Sequence, residues 1–334
     1  MKRDYLAQAL RDAGAIELRV QHGDRWTSGL FADLAHLRKA IAESTAQNIF
    51  TSLNEPAEPD VNNMMTGRAL ADADIRTVCR LPFDFDPVRP KGLPSTSDEL
   101  HHARRRRDKF VAMLSGLGWP LPAMATSGNG AHAVYRCRLP NTEAVADMMT
   151  ALYLGLKVDF SDGAVQFDST VRNPARIWRC YGTANRKGTA TPDRPHRTAV
   201  VAVPNRWEGV SPRLIEVLAN KYAKRPTPKS DATVVKFIGA GDYRTLDVVG
   251  WFTAHGLYKR SIGSGKHAVF CPWQHEHTTP STAMSSDSVV WQAGEGWPTF
   301  HCSHSHCEGR SINDVMALFR DADAYCARPY RRAA

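Results

Sequence analysis

The run Phe83-Asp84-Phe85-Asp86 constrains the fold of this chain more than any other feature of its sequence. Side chains of a β-strand alternate between its two faces, so the run predicts a strand with both acids on one face and both rings on the other. Acids two residues apart on a strand are separated by roughly 6.5–7 Å, which lets them hold a pair of hard cations about 3.5–4 Å apart. A third acid, Asp168, follows a second apolar segment. The three acids are the minimal ligand set for a two-metal site.

Further motifs follow the acids in a fixed order along the chain. They are a proline-rich turn (Pro87-Val88-Arg89-Pro90-Lys91-Gly92), a glycine-rich turn ending in a histidine (Ser127-Gly128-Asn129-Gly130-Ala131-His132), a segment after the third acid (Asn173-Pro174-Ala175-Arg176-Ile177-Trp178-Arg179), and the runs Gly182-Thr183-Ala184-Asn185-Arg186-Lys187-Gly188 and Arg194-Pro195-His196-Arg197. In this order the motifs resemble those of the archaeo-eukaryotic primase superfamily, and within it the primase-polymerase branch of phages, plasmids and integrated mobile elements. The resemblance spans roughly residues 15 to 205, which is most of the chain.

The resemblance implies a role for each motif. The three acids would bind Mg²⁺ or Mn²⁺, because these hard ions prefer oxygen ligands. One metal ion would activate the 3′-hydroxyl of a primer, and both would stabilise charge on the α-phosphate of the incoming nucleotide. His132 would donate a hydrogen bond to the phosphates of that nucleotide. The predicted nucleotide- or DNA-binding residues are Ser127, Gly128 and Gly130 of the glycine-rich turn, together with Arg176 and Lys187, which suit a triphosphate or a template.

Each of these assignments has a simpler alternative. An isolated pair of strand acids is best interpreted as solvated carboxylates on an edge strand, and His132 as a structural residue at the start of a strand. Arg176 and Lys187 would then belong to a basic, solvated face. The order and number of the motifs favour the metal-ligand interpretation of the acids.

Apolar periodicity predicts a mixed α+β fold. The predicted strands lie near residues 16–20, 48–53, 77–86, 131–137, 164–168 and 176–180, and the predicted helices near 34–41, 99–117 and 142–156. Thr96 and Glu99 form the pattern of a capping box, which predicts the start of the second of these helices. The resemblance implies an RRM-like antiparallel sheet with helices on one face. We place a primase-polymerase catalytic domain at residues 1–220, a proline-containing basic linker at 221–241 and a small zinc-binding module with a terminal helix at 242–334.

The C-terminal module carries two clusters of cysteine and histidine, at residues 271–277 and 301–307. Soft thiolates and imidazoles in two pairs suit tetrahedral Zn²⁺. The predicted ligands are Cys271, His277, Cys302 and Cys307, with His275 or His304 as alternatives for the histidine position. An unmetallated loop rich in cysteine and histidine is the competing interpretation. Ser311 and Asp314 form the pattern of a helix cap and predict the start of the terminal helix.

Charge and composition indicate a polyanionic partner. The net charge of +9 and the pI of about 9.3 fit DNA. The run Arg104-Arg105-Arg106-Arg107 is interpreted as a solvated helix face, with contact to a duplex backbone as the alternative. The chain start lacks a signal-peptide core, no run approaches the ~18 apolar residues of a membrane span, and the seven cysteines are odd in number. We therefore expect a cytoplasmic protein that has no membrane partner.

The predicted function is that of a DNA primase or primase-polymerase. Such a template-dependent nucleotidyltransferase makes primers on single-stranded DNA from nucleoside triphosphates, here in phage or mobile-element replication. The zinc module would engage the template or help hold the initiating complex. Because the chain lacks a GxxxxGK[ST] motif, the resemblance implies a separate replicative helicase. The alternatives are a non-catalytic replication initiator or DNA-binding adaptor, which the retained acids and histidine disfavour, and a metal-dependent nuclease that uses the same acids.

Overall fold

The computed structural model describes residues 4–223, 239–263, 265–277, 281–292, 296–304, 307 and 309–329. The chain divides into two compact units, Met1–Arg225 and Pro226–Ala334. Each unit has its own cluster of buried apolar side chains. Residues 224–238 of the predicted linker lie outside the described residues. None of the described helices is long and apolar enough to cross a membrane.

The N-terminal unit combines helices with short and long strands. Its helices are α1 (Tyr5–Ala13), α2 (Leu34–Glu43), α3 (Ser97–Gly116), α4 (Glu143–Phe160) and α5 (Pro212–Ala223). Its strands are β1 (Ile16–His22), β2 (Arg25–Phe31), β3 (Asn48–Ser52), β4 (Glu55–Pro56), β5 (Ile75–Pro87), β6 (Ala123–Thr126), β7 (Ala131–Pro140), β8 (Val165–Phe167), β9 (Ile177–Arg179), β10 (Ala184–Asn185), β11 (Arg197–Thr198) and β12 (Val200–Ala202).

These strands form three sheets. The first has the order β2-β1-β3-β9, and the second has the order β12-β6-β7-β5-β4, with β8 also paired to β5. Strands β10 and β11 form a separate pair. Each of these strand pairs is antiparallel. The predicted mixed α+β fold is confirmed, and the second sheet carries the strand with the alternating acids.

Strand β5 separates its two kinds of side chain as predicted. Phe83 and Phe85 are fully buried. The ring of Phe83 lies 4.7 Å from that of Phe110 in α3 and 5.2 Å from that of Tyr153 in α4. Helices α3 and α4 therefore cover the aromatic face of β5, and the acids lie on the opposite face. Burial of these large rings is the main stabilising contribution at this position, since a buried Phe contributes roughly 1.5–3 kcal/mol.

Helix α3 begins at the predicted cap. The Glu99 carboxylate accepts a hydrogen bond from the Thr96 backbone N–H at 2.8 Å, and the Thr96 hydroxyl accepts one from the Glu99 N–H at 3.1 Å. The prediction of a fully solvated arginine run is wrong for Arg107, which is buried and donates to the carbonyl of Ala125 at 2.8 Å. Its position four residues after the buried Ala103 and three residues before the buried Phe110 places it on the buried stripe of the helix.

The C-terminal unit is a small sheet with helices. Its strands are β13 (Tyr258–Gly263), β14 (Lys266–Val269), β15 (Ser288–Trp291) and β16 (Thr299–Cys302), and its helices are α6 (Val248–Ala254) and α7 (Ile312–Phe319). The four strands pair antiparallel in chain order. Helix α7 begins where the sequence predicts it, since the Asp314 carboxylate accepts a hydrogen bond from the Ser311 N–H at 2.7 Å.

Candidate active site and cysteine–histidine cluster

The three acids come together because strands β7 and β8 flank β5. Asp84 pairs with His132 in the β5–β7 register, and Asp86 pairs with Gln166 in the β5–β8 register. Directly after β8, the backbone N–H of Asp168 donates to the carbonyl of Asp84 at 3.0 Å. Residues that are up to 84 positions apart in sequence thus converge on the open face of one sheet.

The glycine-rich turn lies against both strand acids. A Cβ atom at Gly130 would come within 2.6 Å of Asp86 Oδ1 and 3.3 Å of Asp84 Oδ1. Only glycine leaves room for the two carboxylates at this point. Ser127 holds the turn, because its hydroxyl accepts a hydrogen bond from the Gly130 N–H at 2.8 Å. Gly128 has a φ of +94°, which an L side chain rarely adopts.

The two strand acids have opposite electrostatic surroundings. Burial, reinforced by the neighbouring Asp86, raises the pKa of Asp84, while His132 acts in the other direction. Burial also acts to raise the pKa of Asp86, but Arg89 and Lys187 outweigh it, so the pKa of Asp86 is lowered. The guanidinium of Arg89 lies 3.5 Å from Asp86 Oδ1. Asp86 is therefore held as a carboxylate, whereas the charge on Asp84 is poorly compensated by the protein.

The donor set fits a hard divalent cation. Asp84 Oδ1 is buried, and among the described residues it accepts no well-formed hydrogen bond, although His132 Nε2 lies 3.4 Å away. A buried carboxylate oxygen without a partner is costly, and a cation would relieve that cost. Asp168 uses Oδ1 to accept hydrogen bonds from the N–H and hydroxyl of Thr170, at 2.8 and 2.7 Å. Within the described part of the chain, the three acids do not form one compact ligand group of the kind found in the C-terminal unit.

Arg176 and Lys187 both lie in the field of the acids. The Arg176 guanidinium donates to the carbonyl of Thr170 at 2.6 Å, and its Nε is buried with no partner among the described residues. Burial lowers the pKa of Arg176, and Asp168 is the main opposing charge. Burial likewise lowers the pKa of Lys187, against the effect of Asp86. Both cations are thus close to where an anionic substrate would meet the acids.

His132 is fixed by two residues that the sequence analysis did not single out. The indole N–H of Trp178 donates to the hydroxyl of Tyr181 at 2.7 Å, and that hydroxyl lies 3.0 Å from His132 Nδ1. Trp178 also packs on the imidazole, with ring centroids 4.2 Å apart. Because indole can only donate, Tyr181 accepts from Trp178 and has its own proton available for Nδ1. This arrangement favours the neutral tautomer that carries its proton on Nε2, the nitrogen that faces Asp84.

The sequence contained only a weak signal for these partners. Trp178 and Tyr181 lie in or beside the motif after the third acid, but their contact with His132 spans 49 residues in the case of Tyr181. Arg89 lies in the proline-rich turn three residues after Asp86. Its place in a motif, rather than any local pattern, is what could have identified it.

The four cysteine and histidine residues predicted as zinc ligands form a buried cluster. The ligand atoms of Cys271, His277, Cys302 and Cys307 all lie within 4.8 Å of one another. The sulfurs of Cys271 and Cys307 are 3.6 Å apart, and His277 Nε2 lies 3.1 Å from the Cys307 sulfur and 3.6 Å from the Cys302 sulfur. A tetrahedral zinc site with Zn–S bonds near 2.3 Å has ligand–ligand edges of about 3.7 Å, so the donor set and its spacing fit zinc.

The alternative histidines occupy different positions. The side chain of His275 is 74% exposed and faces Glu276. His304 stacks on His277 with ring centroids 3.8 Å apart, and its Nδ1 lies 3.3 Å from the Cys302 sulfur. Its Nε2 lies 3.5 Å from Asp287. The geometry therefore favours His277 as the histidine ligand and places His304 beside the cluster as a neighbour of Cys302.

The solved structures that are similar to this chain include the following two. One is the primase RepB′, with a TM-score of 0.38 and 11% identity over 65% of this chain and 62% of that chain. The match thus spans less than two thirds of the length of RepB′. The other is the polymerase domain of Ligase D from Mycobacterium tuberculosis, in complex with DNA, with a TM-score of 0.36 and 15% identity over 66% of this chain and 85% of that chain. No protein-family model matches the chain, and no curated protein matches it.

Proposed function

We propose that this chain is a template-dependent nucleotidyltransferase, a DNA primase or primase-polymerase, of a phage or other mobile element. The observation that carries the proposal is the poorly compensated carboxylate of Asp84, whose Oδ1 is buried, beside Asp86 and under a turn that only glycine can form. Acids in this state, facing a buried histidine and several cations, suit a metal-bound triphosphate. The resemblance of the motifs supplies the reaction class.

The acids would hold the divalent ions in this proposal. Asp84 and Asp86 would bind Mg²⁺ or Mn²⁺ from β5, and Asp168 would contribute its Oδ2, since Oδ1 is engaged by Thr170. When bound, such ions lower the pKa of a hydroxyl nucleophile and neutralise charge on a phosphoryl group. The remaining chemistry is positioning, which the protein's own side chains perform.

The cations and His132 would receive the triphosphate. His132, with its proton on Nε2, can donate to a phosphate oxygen on the face that also carries Asp84. Arg89 and Lys187 keep Asp86 ionised and add positive charge beside it. Arg176 offers a guanidinium whose Nε is still without a partner among the described residues. Charge-assisted hydrogen bonds of this kind contribute about 1.5–3 kcal/mol each.

Residues 1–220 would form the catalytic domain and residues 242–334 a zinc-binding module in the same proposal. Zinc would join β14 and β16 through Cys271, His277, Cys302 and Cys307. The module would engage the template or help hold the initiating complex. A separate replicative helicase as a partner stays a prediction from the resemblance.

Primer synthesis on a single-stranded template tests the proposal. Wild-type protein, nucleoside triphosphates and Mn²⁺ should give template-dependent products, and Asp84→Asn should give none. The matched control is Asp147→Asn, which removes an exposed acid of α4 and should leave synthesis unchanged. Template cleavage by wild-type protein that Asp84→Asn abolishes would indicate a nuclease instead. Binding of DNA without synthesis or cleavage would indicate an adaptor.

A further inference from the structure

The first sheet of the N-terminal unit has one face toward the core and one face away from it. Leu18, Val20 and Ile49 point into the core, and so does Trp178, which packs on His132. The register places the alternate residues together on the opposite face, which we name the outer face: Arg19 and Gln21 of β1, Trp26 and Ser28 of β2, Asn48 and Phe50 of β3, and Ile177 and Arg179 of β9.

An aromatic stack lies across the outer face. Trp26 is 46% exposed, which is unusual for the largest apolar side chain. Its ring lies 5.8 Å from the half-buried ring of Phe50, at an angle of 34°. The guanidinium of Arg179 lies over the ring of Phe50, 4.4 Å from its centre. Two aromatic rings and a planar cation, contributed by β2, β3 and β9, thus follow one another across the four-stranded sheet.

Arg179 lacks an acidic partner. Only 7% of the residue is exposed, and its guanidinium donates to the side-chain oxygen of Asn48 at 3.0 Å. Within the described part of the chain, no carboxylate forms an ion pair with it. Burial lowers the pKa of Arg179 to about 10. A buried cation that only an amide and a ring accompany is a favourable place for an anion to bind.

A cavity of about 520 Å³ adjoins the stack on the same face. Trp26, Arg19 and Ile177 form part of its wall, and Ser28 and Thr66 also line it. The loop at residues 65–69 also lines the cavity, and it is held to β2 because the Gly67 N–H donates to the carbonyl of Ser28 at 2.8 Å. The size fits a nucleotide-sized ligand, and the lining combines an apolar wall with a few polar groups.

We infer that the outer face binds single-stranded nucleic acid, with bases stacked on Trp26 and Phe50 and a backbone phosphate at Arg179. Aromatic side chains combined with cations on an open sheet are how proteins bind single strands without reading their sequence. A duplex hides the faces of its bases, so it cannot use such a stack. The inference deepens the proposed function, because it adds a binding surface for single-stranded nucleic acid. This surface is the face of the first sheet opposite to the face from which Trp178 packs on His132.

The test measures binding of a fluorescent oligothymidylate of about 20 nucleotides, without added Mg²⁺, Mn²⁺ or nucleotides. Trp26→Ala should weaken oligothymidylate binding by at least about 5-fold, since stacking of one base on one side chain contributes that much affinity. Trp26→Phe keeps an aromatic ring and should retain most of the wild-type affinity. Affinity for a duplex of the same length should stay unchanged. The control is Leu121→Ala, which removes another exposed apolar side chain away from this sheet. Arg179→Gln should reduce the slope of log affinity against log salt by about 0.7.

Several outcomes would overturn the inference. Unchanged oligothymidylate binding by Trp26→Ala would show that the face serves another partner or none, and an unchanged salt slope in Arg179→Gln would remove the phosphate assignment. Photocrosslinking of wild-type protein to an oligonucleotide containing 5-iodouracil provides a check that needs no variant. Crosslinks should map to β2 or β3, and crosslinks found only elsewhere would contradict the inference. Loss of synthesis in Asp84→Asn with full oligothymidylate binding would separate this result from the proposed function.

Discussion

The contact between Tyr181 and His132 gives the sharpest test of the candidate active site. Tyr181→Phe removes a single oxygen atom and keeps the ring that packs edge-on against Tyr5 at 4.9 Å. Nδ1 of His132 then loses its hydrogen-bond donor, and the proton is no longer directed to Nε2. We expect a loss of about 0.5–1.5 kcal/mol, the net value of one neutral hydrogen bond. This corresponds to a decrease of about 2- to 12-fold in kcat/KM for the nucleotide.

The same change should also lower stability, for a separate reason. The indole N–H of Trp178, a residue that is only 4% exposed, donates to the Tyr181 hydroxyl and would lose its acceptor. An unsatisfied buried donor costs about 1–3 kcal/mol in the free energy of unfolding. Tyr135→Phe is the matched control, because the Tyr135 hydroxyl is buried with no hydrogen-bond partner among the described residues. Its removal should leave both activity and stability unchanged or slightly improved.

The measurements are steady-state kinetics in varied nucleotide, thermal unfolding, and ¹⁵N NMR of the His132 ring. Tyr181→Phe should raise KM for the nucleotide while the affinity for single-stranded DNA stays constant, and the Nε2–H tautomer of His132 should decline. A variant with lower stability but unchanged kinetics and an unchanged tautomer would show that Tyr181 only supports the fold. Equal effects in Tyr135→Phe would refute the reasoning altogether.

Three further changes test other parts of the site. Asp84→Asn should abolish synthesis without lowering the melting temperature measured without added Mg²⁺ or Mn²⁺. Burial raises the pKa of Asp84, so its ionised form opposes folding as pH rises through that pKa, and the amide removes this charge. A clearly lower melting temperature would argue against that electrostatic assignment. Gly130→Ala should abolish synthesis while oligothymidylate binding persists, because the new methyl group would meet Asp86 Oδ1 at 2.6 Å. Normal synthesis by this variant would show that the glycine-rich turn can move away from the two acids at little cost. Cys302→Ser should release about one zinc ion per chain, measured by elemental analysis, and unfold the C-terminal unit, since so small a unit depends on its metal. Extension of a primer should survive better than initiation, because the three acids lie in the N-terminal unit. Equal loss of both activities would contradict this division of roles between the two units.

Features with a local cause were predictable from the sequence. The alternation of Asp84 and Asp86 with two phenylalanines follows from strand geometry alone, and the structure reproduces it. The cap at Thr96 depends on two residues three positions apart, and it is present as predicted. The cysteine and histidine clusters also predicted that these residues lie close together, because a single zinc ion binds several such side chains. The structure gathers the four predicted residues, and zinc binding itself stays a prediction.

Features with a distant cause were not predictable. Arg107 belongs to a run of four arginines that looks uniformly solvated, and only its packing against the strand that contains Ala125 shows that it is buried. The choice of His277 over His275 and His304 depends on how the chain turns after Cys271. The outer-face stack of Trp26 and Phe50 depends on the pairing of both β2 and β3 with β1, which no single segment reveals.

The two acids of β5 show how the same residue type acquires different properties. On sequence grounds Asp84 and Asp86 are equivalent, since each occupies the same face of one strand. In the structure Asp86 has Arg89 at 3.5 Å and the charge of Lys187, whereas Asp84 has His132 Nε2 at 3.4 Å and an oxygen without a well-formed hydrogen bond among the described residues. A divalent cation would therefore gain more by neutralising Asp84 than by competing with Arg89 for Asp86. In the proposed metal site, Asp84 would therefore be the position where cation binding and the charge state of the site are most strongly coupled, and loss of its carboxylate should affect metal affinity most.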